Sequence, residues 1–124
     1  MINNIVLGGR LTADAVLKST LNNSFVCNFN IANNRKSPNG KEETTFMEIV
    51  IFGNYAQAMS PYLTKGLTVD VIGKLVQENW TNVEGQNLFK YKIHAKEIDF
   101  RTPKSQNIHS YENNNEGEDD EKQY

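Results

Sequence analysis

The chain has 124 residues and a single cysteine, enough for one domain with a real core and a short appendage, and too few thiols for an internal disulfide. That cysteine usage suits a reducing compartment, and with no apolar run of about 18 residues and no signal-peptide pattern a cytoplasmic protein without a membrane partner is expected. The net charge of -2 hides a split: residues 1–105 hold 12 Lys/Arg against 9 Asp/Glu, whereas residues 106–124 hold 1 against 6, so a mildly basic body carries an acidic end.

Residues 3–11 read as a first strand, with Ile5, Leu7, Gly9 and Leu11 on one face and Arg10 on the other. The adjacent Gly8 and Gly9 predict a bulge or bend there, of the kind that curls a small sheet into a barrel. Arg10 is placed either to meet a phosphate or to be solvated. Residues 15–18 suggest a short strand, and 21–24 a turn. Over 25–32, Phe25, Cys27, Phe29 and Ile31 alternate with Val26, Asn28 and Asn30, a half-buried strand. Cys27 shares the apolar row and is read as a small core residue, since nothing near it would activate a thiol.

Residues 33–44 form a polar loop with a turn signal at Ser37, Pro38, Asn39 and Gly40 and with basic Arg35, Lys36 and Lys41. The run 45–53 that follows is the most informative strand. Met47, Ile49 and Ile51 make a plain core row. Phe46, Glu48, Val50 and Phe52 make the other, two aromatics with a charge between them. Either the strand is buried on both faces and the rings merely pack, or they stand on an open face suited to stacking on bases.

Residues 54–65 change to helical spacing through Tyr55, Ala58, Met59 and Tyr62, with Lys65 and Gly66 ending the helix and Pro61 tightening its last turn. Alternation returns over 67–80: Leu67, Val69, Val71, Gly73 and Leu75 face one way, and Lys74 and Trp80 the other. Glu84 and Gly85 give a hairpin turn. The last strand, 88–100, is expected to put Phe89, Tyr91, Ile93 and Ala95 inside and Lys90, Lys92, His94 and Lys96 outside. That lysine row either guards an edge or meets phosphates. Beyond Arg101 the pattern stops. The expected division is a folded domain at 1–103 and a disordered acidic tail at 104–124.

Three strands, a short helix and a long hairpin follow the order of the OB-fold, an all-β five-stranded Greek-key barrel that binds oligonucleotides on its sheet face. Catalytic and metal readings find no support. His94 and His109 are not at ligand spacing with Cys27, Gly8-Gly9-Arg10 is no phosphate loop, and no cofactor is expected.

The runs NIVLGGRLT at 4–12, FMEIVIFG at 46–53, YLTKG at 62–66 and GKL at 73–75, with WT at 80–81 and GQ at 85–86, resemble the bacterial single-stranded DNA-binding protein family over about residues 1–100. The resemblance implies an OB-fold homotetramer that coats single-stranded DNA in replication, recombination and repair, nucleoid-associated and not an enzyme. It places stacking rings at Phe46, Phe52 and Trp80 and a basic contact at Lys65, beside Arg10, Arg35, Lys36, Lys74, Lys90, Lys92 and Lys96. Three departures stand out. Asn34 and Arg35 occupy positions where the family often has an aromatic. Glu48 stands where a basic residue is common. The acidic end Glu118, Asp119, Asp120 and Glu121 finishes in Tyr124 without a Pro-Phe tip. The tail then serves solubility, competes for the DNA groove, or docks replication and repair proteins through those residues. The alternative reading is an OB-type replication accessory protein of the primosomal kind, mainly a docking module.

Overall fold

The computed structural model describes residues 1–101; the acidic tail, its proposed docking residues and the boundary at 103/104 lie outside the described residues. Six strands and one helix follow in order: β1 (Ile5–Leu11), β2 (Val16–Ser19), β3 (Phe25–Lys36), β4 (Glu42–Phe52), α1 (Gly53–Met59), β5 (Thr68–Thr81) and β6 (Asn87–Arg101). Their sheet order is β1-β5-β6-β4-β3-β2. All neighbours are antiparallel except β4 and β6, which run parallel. Arg10 and Leu11 of β1 also pair with Ala32 and Ile31 of β3 and close the sheet on itself. The short β2 takes the same edge of β3 farther along, at Phe25 to Asn28. The result is the five-stranded OB-fold barrel, as the strand order in the sequence predicts.

The alternating apolar rows meet inside. Leu11, Phe29, Ile31, Ile49, Ile51, Val69, Val71 and Ile93 are all buried, with Cys27 among them as expected. The helix contributes Ala56 and half-buried Tyr55, whose hydroxyl accepts the Ile98 N–H at 2.8 Å and so ties α1 to β6. It is shorter than its spacing suggests. Pro61 cannot extend an α-helix, and Ser60–Tyr62 continues as one 3-10 turn that brings Leu63 into the core.

Two expectations need correction. Of the bulge or bend expected at the glycine pair in β1, the bulge is absent against β5, since the register runs unbroken from Ile5↔Gly73 to Arg10↔Thr68. Gly9 instead permits the close approach of β3: a Cβ there would lie 2.8 Å from the Ala32 carbonyl oxygen. The irregularity falls between Ile72 and Gly73, where Ile72 pairs with Glu97 and Gly73 with Ala95, so Lys96 is left over. Second, Phe89 and Tyr91 are exposed rather than inside. The hairpin of β5 and β6 overhangs the barrel, so the inward side of its outer half faces no core. After the Lys96 bulge the phase shifts and Ile98 becomes the buried residue.

Candidate nucleic-acid interface

The outward rows of β3, β4, β6 and β5 form one continuous sheet face. Register fixes its layout. Asn30, Glu48, Lys92 and Val76 are cross-strand neighbours in one row, and Asn28, Val50, His94 and Lys74 in the next. Phe46 and Phe52 stand at either end of this segment of β4, and Trp80 stands out along β5 beyond Glu78. All three rings reach solvent, at 67 %, 51 % and 42 % exposure respectively. Each forgoes part of the roughly 1.5–3 kcal/mol that full burial of a large apolar side chain gives, and all three do so on one side of the sheet. The alternative of a strand buried on both faces holds only for Val50, which is covered between its neighbours.

The basic residues fall into three groups. Lys74 and Lys96, with Phe52, His94, Asn3 and Asn4, line a groove on this face. The amide of Asn3 both donates to and accepts from the Leu75 backbone at 2.9 Å, which pins the N-terminal segment along the groove. Arg10 joins from the barrel's closing seam, in one cross-strand row with Ala32 and Phe46.

Lys90 and Lys92 are on the face but already engaged. The Lys90 Nζ is 3.2 Å from Glu48 Oε1 and 5.9 Å from the centre of the Trp80 ring. The Lys92 Nζ is 3.4 Å from Glu48 and 3.1 Å from Glu78, and its side chain is only 12 % exposed. Asn28 Nδ2 donates to Glu48 Oε2 at 2.9 Å. Partial burial works against ionising Glu48, but the Asn28 amide and the two lysines outweigh it and hold the carboxyl below its ordinary range. The same balance, burial against Glu78 and Glu48, leaves Lys92 more firmly protonated than a free lysine.

The third group lies elsewhere. Alternation puts Arg35 on the opposite side of its strand from Ala32's row, where it donates to Thr45 Oγ1 at 2.8 Å and pairs with Glu43 at 3.5 Å. Lys36 shares the parity of Phe46 but sits at the far tip of the β3–β4 hairpin, opposite Glu42. Lys65 occupies the turn before β5, off the sheet face, with its N–H on the Asp14 carboxylate at 2.8 Å.

Two features of the face are not in the local sequence: the ring contact of His94 with Phe52, and the double anchorage of Lys92. The ring contact and the Glu48 half of the anchorage depend on the parallel pairing of β4 with β6, strands separated by the helix and the whole of β5. Among the described residues no group of three metal-ligating side chains is found, and no helix is long and apolar enough to cross a membrane.

A profile of the single-strand binding protein family matches residues 2–101. Among curated proteins, a single-stranded DNA-binding protein of Staphylococcus aureus (strain MRSA252) is 37 % identical over 109 residues, covering 86 % of this chain and 70 % of that protein. A single-stranded DNA-binding protein 2 of S. aureus (strain COL) is 38 % identical over 109 residues, covering 86 % and 78 %. One from Treponema pallidum (strain Nichols) is 41 % identical over 100 residues, covering 78 % of this chain and 56 % of its own length.

Proposed function

Because the chain belongs to the single-strand binding protein family, we propose that it is a non-enzymatic protein that binds and coats single-stranded DNA with little sequence preference, in replication, recombination and repair. The observation that carries the reading is the placement of Phe46, Phe52 and Trp80, exposed on one side of a curved sheet. Each base stacked on a ring is worth about 1–3 kcal/mol, and every base has a face to stack, so the contact tolerates sequence. Lys74 and Lys96 supply point charges for phosphates and Arg10 a planar guanidinium, contacts that position the strand without reading it. Duplex DNA hides the base faces and offers this surface only its backbone.

Assembly into a homotetramer belongs to the same proposal. Toward β3, β1 pairs at Arg10 and Leu11, and the Asn33 side-chain amide donates to the Gly8 carbonyl, so the start of that edge, Ile5 to Leu7, has backbone groups suited to a second copy. Docking of replication and repair proteins by the acidic tail rests on its charge alone. The reading as a whole is tested by titrating the protein with oligo-dT and with duplex of equal length while following Trp80 emission.

A further inference from the structure

Glu48 stands between Phe46 and Phe52, next to Phe46 in the outward row of β4, on the surface where a polyanion would lie, and stacking gives it no role. Its two oxygens hold separate ammonium groups: Oε1 takes Lys90 at 3.2 Å and Oε2 takes Lys92 at 3.4 Å. A pair of non-bridging phosphate oxygens would present the same thing to the same two lysines. We propose that Glu48 is a built-in stand-in for phosphate, which occupies Lys90 in the free protein and must release it when a strand enters.

The two lysines are not equivalent in this. Lys92 is largely covered and has a second carboxylate, Glu78, at 3.1 Å, so it acts as a strut within the sheet face. Lys90 is half exposed, has Glu48 as its one carboxylate partner among the described residues, and lies over Trp80. Exposed pairs of this kind hold by a factor of roughly 1.4 to 5, weak enough for a phosphate to displace. The exchange has a signature in salt dependence. A phosphate that gains Lys90 sheds a condensed cation, but Glu48 is then a negative charge beside the strand that offsets that of Lys90, so the pair adds almost nothing to the salt slope. Glu48 thereby sets how many phosphates the face neutralises, and it moderates affinity without touching a base.

This inference rests on the single-strand reading, and its test separates the two. Oligo-dT affinity is measured across a salt series for the full chain, for Glu48→Gln, for Lys90→Gln and for the double variant, with thermal midpoints as a check on folding. Glutamine keeps an oxygen for the Asn28 amide and removes the charge. The expected result for Glu48→Gln is binding roughly two- to fivefold tighter at low salt, a log–log slope steeper by about 0.7, and convergence with the parent at high salt. Lys90→Gln alone should leave the slope unchanged, and in the Glu48→Gln background it should cancel the gain. A parent that binds while Glu48→Gln shows no gain and no steeper slope overturns the competitor and leaves the single-strand reading standing. So does a slope that falls by about 0.7 in Lys90→Gln alone, which remains measurable if Glu48→Gln does not fold. A parent that does not retain oligo-dT overturns both.

Discussion

Phe52 and His94 meet edge to face, with ring centroids 5.1 Å apart and planes inclined at 71°. The contact joins β4 to β6 across their parallel pairing, where Val50 stands opposite His94. Both rings line the groove that Lys74 and Lys96 also line, and Phe52 remains half exposed there. An edge-to-face pair fixes a ring's orientation as well as its position, which is what a stacking platform needs.

Replacing Phe52 or Phe46 with alanine should therefore weaken oligo-dT binding by about 1–3 kcal/mol each, one lost stack apiece. Thermal stability should change far less for Phe46, the more exposed ring, than for Phe52, which also loses its contact with His94. Equilibrium titrations beside melting curves check both halves. Two variants that bind like the parent would place the strand elsewhere.

His94 also makes binding and stability depend on pH in opposite directions. Partial burial, then the charges of Lys74 and Lys92, push its pKa below the ordinary 6.5, with Glu78 opposing them more weakly. The unfolded chain then holds more protons than the native one just below 6.5, so stability falls as pH drops through that window. Glu48 acts the same way lower down, its contribution being lost as pH falls through its depressed native value. A phosphate beside His94 would favour the imidazolium, so oligo-dT binding should take up a proton and tighten as pH falls toward and below the ordinary 6.5. In His94→Gln that gain should vanish, and a gain that persists would assign the proton to another group.

Gly73 sets the bulge on which this geometry depends. A Cβ there would come 2.2 Å from the His94 carbonyl oxygen and 2.7 Å from the Ala95 Cα, both backbone atoms that cannot swing away. Gly73→Ala should cost about 1–3 kcal/mol, typical of overpacking, and lower the thermal midpoint by roughly 4–8 °C for each kcal/mol. A Gly73→Ala midpoint equal to the parent's would show that the bulge is not rigid.

Much of this surface was legible in the chain. Alternation over residues 45–53 separated the core row from the ring row, and Trp80 and Lys74 fell on the correct side of β5 by the same count. Three things were hidden, each for a physical reason. Counting by twos carries no information on where the count slips, so the bulge at Ile72/Gly73 and the buried Ile98 escaped it. Parity says which way Phe89 and Tyr91 point, but not that the barrel has ended before them. The engagement of Lys90 and Lys92 by Glu48 depends on a parallel pairing between strands about forty residues apart, and nothing local records it. Arg35 was hidden as well: its polar surroundings read as a loop, whereas β3 runs on to Lys36 and its alternation puts Arg35 beside Thr45 and Glu43.

The central claim is that bases stack on the face shared by Phe46, Phe52 and Trp80, and the chain's one tryptophan reports on it directly. The decisive measurement is Trp80 emission during titration with oligo-dT, with duplex of the same length as comparison. Stacking predicts strong, saturable quenching by the single strand, a much smaller change with duplex, and shallower binding curves in Phe46→Ala and Phe52→Ala. Oligo-dT that binds while Trp80 emission stays unchanged, or duplex that quenches equally, would contradict it.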